Sequence, residues 1–340
     1  MARNIYGLDL GTYDIKVFDK KKMEIWKEKN AVAIEDEKKI IAIGNQAYDI
    51  YERAPENIEV HFPMKDGVIS RFRDMQYLLQ NMLKADKLFS LASEYVIAVP
   101  TDVTEVEKKA FFDLVVHSTA KAKEVHIVER GIAIAVSTDS EIQSNSGVMI
   151  VDIGAGTTEI SVVASAGLVM DKMLKIGGNS FDTAIANLVR QNCEILIGNK
   201  TAEMLRHRFG IFGGSSKESA KVSGRNLMTG VPMQQEISIG VVRAAMKEPL
   251  AEVIAVINSM LERTPPEVLK GIQKNGIYLA GGVSNMIGLA TYIEERTGYP
   301  VHVVNRPDTS AVEGIKKIVE SKELRKLAFS VLNEGYRWMR

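Results

Sequence analysis

The chain has 340 residues, with 43 lysines and arginines balanced by 43 aspartates and glutamates. No net field therefore attracts nucleic acid or acidic substrates, and no nucleic-acid partner is expected. Hydrophobic residues make up 46% and charged residues 25%, the proportions of a globular protein with sizeable cores, and the length points to two domains.

From the N-terminus, Arg3, Asn4 and Asp9 interrupt the first apolar stretch, so no secretory signal is expected. Strands are predicted at Ile5–Leu10, Tyr95–Val99, Val125–Val128, Val148–Ile153, Glu159–Val163, Ile277–Leu279 and Val301–Val304. Helices are predicted between them at Thr104–Ala122, Phe181–Leu196, Thr201–Phe209, Arg243–Glu262 and Met286–Thr297. Thr104 and Glu107 read as a capping box at the first of these helices. The alternation implies mixed or parallel sheets flanked by helices, an α/β protein. No run of about 18 apolar residues is available to span a bilayer. Cys193 stands alone, which excludes an internal disulfide and fits a reducing, cytoplasmic compartment. His61, His117, His126, His207 and His302 are scattered without metal-ligand spacing.

One internal echo organises the chain. Tyr6–Phe18 reads YGLDLGTYDIKVF and Met149–Val162 reads MIVDIGAGTTEISV. Each runs apolar strand, Asp, apolar residue, Gly, small residues and Thr, then a second β-rich run. Asp9 and Asp152 lie 143 residues apart, so the echo roughly halves the chain and points to two similar domains facing each other.

A tight glycine-containing turn exposes consecutive backbone N–H groups that can cradle phosphate oxygens. Thr12, Thr157 and Thr158 add hydroxyls. Asp9 and Asp152, at the ends of their strands, are suited to holding the waters around Mg2+. Two such turns across a cleft would grip a polyphosphate from both sides. The chain has neither G-x-x-x-x-G-K-[ST] nor G-x-G-x-x-G in a βαβ setting, so P-loop and Rossmann readings have no anchor.

These motifs resemble the two phosphate-binding motifs of the actin, sugar-kinase and heat-shock-chaperone ATPase superfamily. Within it the chain is similar along nearly its whole length to the bacterial shape-determining MreB family. The segments FPMKDGVI (62–69), VPTDVTEVEKKA (99–110), KIGGN (175–179), LIGNKTAE (196–203), VSGRNLMTGVP (222–232) and LAGGV (279–283) carry that likeness by their order and spacing. The resemblance implies an actin-like fold, two mixed-sheet domains around a nucleotide cleft, each with a smaller subdomain. The expected limits are 1–30, 64–145 and 311–340 for the first large subdomain and 31–63 for its small one. They are 146–180 and 243–310 for the second large subdomain and 181–242 for its small one. ATP and Mg2+ are the implied cofactors. Thr12, Tyr13 and Asp14 fall at the first phosphate turn, and Gly156, Thr157 and Thr158 at the second. Glu203, Met204, Leu205 and Arg206 match the helix that contacts ribose and adenine, and Gly281, Gly282, Val283 and Ser284 the glycine turn beside the nucleotide. Glu129 matches the carboxylate that orients the attacking water, as phosphoryl transfer rests mainly on positioning.

The chain also departs from the family pattern. Arg130 and Gly131 follow Glu129 where relatives commonly have Pro. Ala155 replaces a glycine of the second turn, which would restrict it. Val283 and Ser284 replace a Gly–Ala pair, and Tyr13 and Asp14 bring an aromatic ring and a negative charge to the phosphates. A slow ATPase coupled to assembly is expected, or else a poorly hydrolysing adaptor that binds ATP structurally. A sugar kinase of the superfamily would need a further base carboxylate, and a chaperone a longer C-terminal region.

The resemblance further implies self-association head to tail into antiparallel paired filaments, on the inner face of the cell membrane, with the cell-wall elongation machinery as partner. Leu88 and Phe89, with Lys84 and Lys87 just before them, match a small hydrophobic insertion loop for the membrane. Leu324–Arg340 can be read as an amphipathic, basic membrane segment or as a final helix docked on its own domain.

Overall fold

The computed structural model describes residues 4–83, 93–117, 122–138, 146–213, 215 and 217–330. Leu88 and Phe89 lie outside the described residues. Two five-stranded sheets dominate. The first contains β1 (Ile5–Leu10), β2 (Asp14–Asp19), β3 (Glu24–Lys29), β4 (Ser93–Val99) and β5 (Ala122–Glu129), in the order β5-β4-β1-β2-β3. The second contains β6 (Val148–Ile153), β7 (Thr158–Ala164), β8 (Gly167–Leu174), β9 (Ile277–Ala280) and β10 (Val301–Val303), in the order β8-β7-β6-β9-β10.

The sheets share one topology. In each, an antiparallel three-strand meander adds two parallel strands beside its first strand. The first strand of each meander is central, with apolar neighbours on both faces, which is why IYGLDL and VMIVDI read as nearly continuous apolar runs.

Between the sheets lies a shared core. Helices Arg130–Ser137 and Ser310–Glu320 bury Ile132, Ile134, Val312 and Ile315 against Phe18 and Val96 of one sheet and Ile150 and Val163 of the other. The helices cross tightly at Gly314, where a Cβ would come within 1.7 Å of the Ala133 carbonyl oxygen. This pair of helices is the floor on which the two halves meet, and the cleft opens above it.

Each half also carries a small three-stranded sheet. Val32–Glu35, Lys39–Ile43 and Ile58–His61 form one. Ile195–Leu196, Ser219–Asn226 and Pro232–Ser238 form the other. Helices Gly178–Cys193 and Ile239–Arg263 run without a break across the residues where the second small subdomain was expected to begin and end.

Several helix limits differ from the sequence expectation for local reasons. The first helix is capped by Thr104 and Glu107 as a capping box and ends at Val116. The helix expected from Phe181 starts at Gly178 and stops at Cys193, because Glu194 turns left-handed at φ 54°. The helix expected from Met286 begins only at Leu289, after a 3₁₀ turn at Gly282–Asn285, because Gly288 adopts φ 75°. The C-terminal stretch is not an amphipathic helix over its described part. A 3₁₀ turn at Leu324–Leu327 leads to Phe329, whose N–H and carbonyl pair with Ile127 on the edge of the first sheet. Leu324 and Leu327 pack on the shared core, so this portion is docked on the protein; residues 331–340 lie outside the described ones. No helix among the described residues is long and apolar enough to cross a membrane.

Candidate nucleotide cleft

The two hairpins that echo in sequence are built alike. In the first, Gly11 N–H donates to the Asp14 carbonyl at 3.1 Å; in the second, Gly154 N–H donates to the Thr157 carbonyl at 2.8 Å. Both donors lie two residues after the aspartate and both acceptors five after it. The turns face each other closely: a Cβ at Gly156 would lie 2.8 Å from Thr12 Oγ1. The start of helix Gly178–Cys193 is clipped onto the second turn, with Gly178 N–H on the Gly154 carbonyl and Asn179 N–H on the Ala155 carbonyl. A helix N-terminus with its partial positive charge therefore sits behind that turn. Ala155 is not left-handed, so an alanine holds this position of the turn without backbone strain.

Around these turns lies an open cleft of about 1110 Å³, its mouth included. It brings together Asp9, Thr12, Tyr13, Asp14, Asp152, Gly156, Thr157, Glu203, Arg206, Gly281, Gly282 and Val283 from the sequence reading. Gly281 is left-handed at φ 83°, and a Cβ there would collide with Asp152 Oδ1 at 2.5 Å. Glycine is what lets this strand end lie against the aspartate.

Five expected residues sit elsewhere. Leu205 is buried in the core of the second half and Met204 points outward, because only every third or fourth residue of helix Asn199–Phe209 can face the cleft. Glu203 and Arg206 are those two. Thr158 is buried, its hydroxyl donating to the Ile176 carbonyl at 2.8 Å, and the Ser284 hydroxyl bonds the Ala280 carbonyl. Glu129 is the last residue of β5, directly before helix Arg130–Ser137, and is not among the residues that line the cleft.

The charges of the cleft are arranged by register. Lys16 stands directly across the hairpin from Asp9, and Glu159 directly across from Asp152. The first hairpin thus presents an opposite-charge pair and the second a like-charge pair. Lys16 Nζ lies 2.9 Å from Asp9 Oδ2, and Arg130 Nη2 lies 3.2 Å from Asp9 Oδ1. Burial acts to raise the Asp9 carboxyl, but Lys16 and Arg130 outweigh it and hold it below the ordinary range. On Asp152 burial comes first and pushes the carboxyl upward, outweighing the charges of Arg130 and Lys16. Glu159, buried and accepting from the Thr101 hydroxyl at 3.2 Å, is pushed up to about 7 by burial.

Arg130, Lys16, Lys29 and Asp182 were not assigned a role from sequence. Lys29 neutralises Asp14 at 2.9 Å and lies 3.6 Å above the Tyr13 ring, so the negative charge expected to disturb the phosphates is compensated. Asp182 pairs with Arg206 through two contacts of 2.7 and 3.2 Å, both residues buried. Tyr13, Tyr48 and Glu203 form a hydroxyl chain across the cleft at 3.2 and 3.3 Å. Burial and this neighbourhood raise Tyr48 to about 12.

These contacts test the expected Mg2+ arrangement. Both oxygens of Asp9 are engaged by cations, Lys16 on one and Arg130 on the other, and Arg130 also acts on Asp152 and Glu159. The residues present do not fit a hydrated divalent ion held between Asp9 and Asp152.

Two sheets of one topology, joined by two helices under a cleft lined by paired turns, define an actin-like fold. Comparison with known proteins agrees. The MreB/Mbl protein family model matches residues 3–327. The chain is 33% identical to the cell shape-determining protein MreB of Escherichia coli (strain K12), covering 94% of each chain. It is 33% identical to the cell shape-determining protein Mbl of Bacillus subtilis (strain 168), covering 90% of this chain and 92% of that one. The chain belongs to the MreB/Mbl family of actin-like cell shape-determining proteins. Among solved structures, MreB5 of Spiroplasma citri bound to AMPPNP superposes with TM-score 0.90 at 27% identity, covering 96% of this chain and 98% of that one. The MamK double helical filament superposes with TM-score 0.78 at 24% identity, a likeness of fold, covering 94% and 99%.

Proposed function

We propose that the chain is an ATP-switched cytoskeletal protein that polymerises head to tail into antiparallel paired filaments on the inner face of the cell membrane. There it organises cell-wall synthesis and so acts on cell shape. The reading rests most on one observation, the approach of Gly156 to Thr12 across the cleft. A triphosphate between those turns would be held by backbone N–H groups from both halves at once. Its binding energy would then favour the closed arrangement of the two sheets, a two-state element that assembly can read. We assign Glu203 and Arg206, which line the cleft, to the ribose and base, and Gly281 and Gly282 to a close approach of backbone to the nucleotide. Leu88 and Phe89 are the residues we assign to the membrane.

A second reading, an adaptor that binds ATP structurally without turning it over, is favoured by the position of Glu129 outside the cleft lining and by the engagement of Asp9 with Arg130. Phosphate release measured over hours separates the two. Negative-stain electron microscopy of the chain with ATP and anionic vesicles tests the main reading. Paired filaments on the lipid are expected; nucleotide-bound monomers free of the vesicles would contradict it.

A further inference from the structure

The departure at residue 130 has a physical consequence in the cleft. Arg130 opens helix Arg130–Ser137 directly after β5, and only 8% of its surface is exposed. The next residue fixes where the helix starts: a Cβ at Gly131 would lie 2.2 Å from Ser161 Oγ, so only glycine lets the first turn settle against β7. With the helix start drawn in, the Arg130 side chain lines the cleft at the base of both hairpins. Its Nη2 pairs with Asp9 Oδ1 at 3.2 Å and lies 3.4 Å from the Leu10 carbonyl oxygen. Its Nε is buried without a hydrogen-bond partner.

Asp9 and Asp152 bring two carboxyl groups to this place, and their charge would repel a bare triphosphate. A divalent ion commonly resolves that conflict by neutralising phosphate and carboxylate together. Here a guanidinium already stands among the carboxyl groups, covalently fixed and unable to lose its charge. Lys16 is a second cation on the same aspartate, and its flexible stem lets it turn from Asp9 to a phosphate. Arg130 is bound by its burial and its contact with Asp9 to stay.

Resting on the nucleotide-binding reading, we propose that Arg130 stands in for the divalent cation, so that this cleft binds ATP without requiring magnesium. Gly131 is the residue that permits it.

Isothermal titration of the full chain with the non-hydrolysable analogue AMPPNP, in excess magnesium and in excess EDTA, tests this. The expected result is a difference in Kd below about tenfold between the two conditions, equivalent to less than about 1.4 kcal/mol. The variant Arg130→Met, similar in length but uncharged, is expected to lose more than about tenfold in affinity in EDTA while keeping its affinity in magnesium. A wild-type chain that binds only in magnesium would overturn the proposal and leave nucleotide binding intact. No binding in either condition would overturn both. The wild-type comparison decides the matter whether or not the variant folds.

Discussion

The carboxylate of Glu52, in the first half of the molecule, accepts the backbone N–H of Asn199, the first residue of a helix in the second half, at 2.5 Å. Its other oxygen accepts from Lys200 N–H at 3.3 Å. Helix Asn199–Phe209 starts after Gly198, which offers no side chain of its own as a cap. The open donors of the helix are thus satisfied from across the cleft. Tyr51 accepts from the Asn199 amide at 3.1 Å and the Tyr48 carbonyl from Lys200 Nζ at 2.6 Å, which completes a clasp over the nucleotide cleft.

Removing this cap should loosen the closed arrangement. Glu52→Ala is expected to cost about 1 kcal/mol of stability, the usual worth of a cap near a helix dipole. It should also speed release of bound ADP several-fold, as read by stopped-flow fluorescence. A release rate equal to that of wild type would show that the clasp does not gate the cleft.

The Arg206–Asp182 pair gives a different kind of outcome. Both residues are buried, so truncating Arg206 strands a carboxylate whose pKa burial already raises. Arg206→Met alone should destabilise the protein by about 3 kcal/mol, and Asp182→Leu added to it should restore a large part of that loss. Denaturant unfolding of the two single variants and the double variant measures the coupling. Additive losses would mean that the pair does not act as a unit.

Glu159 makes stability depend on pH. Its carboxyl, ordinarily near 4.5, is raised to about 7 in the folded protein, so the fold prefers the protonated form. Between those values the unfolded chain has given up the proton that the folded chain still holds. Stability therefore falls as pH rises through that window, by up to about 3 kcal/mol. Glu159→Gln keeps the neutral shape and removes the titration. Its melting temperature should match wild type near pH 4.5 and exceed it at pH 8; equal pH profiles for the two proteins would contradict this account of Glu159.

What could be read in the sequence follows the range over which each interaction acts. The paired hairpins were legible because their chemistry is local: strand, aspartate, glycine and threonine recur in the same order, and the turn bonds follow. The charge register was also present, since Lys16 and Glu159 each stand seven residues after their aspartate. Helical phase could have separated Glu203 and Arg206 from Met204 and Leu205, as residues three apart share a face. The clasp was not legible, because Glu52 and Asn199 are 147 positions apart and, although Asn199 falls in the LIGNKTAE segment, Glu52 belongs to no recognisable motif. Arg130 was visible as a departure, but its effect depends on a helix start set by the contact of Gly131 with Ser161.

In the proposed function, a triphosphate shared between the two hairpins drives assembly. Sedimentation of wild type and Gly156→Val, each with and without ATP, tests it most directly. A valine at 156 adds bulk where even a Cβ lies 2.8 Å from Thr12 Oγ1, and it should close the phosphate site. Wild type is expected to pellet as filaments only with ATP, and the folded variant to stay in the supernatant under both conditions. Filaments of Gly156→Val, or wild-type filaments indifferent to ATP, would contradict the claim.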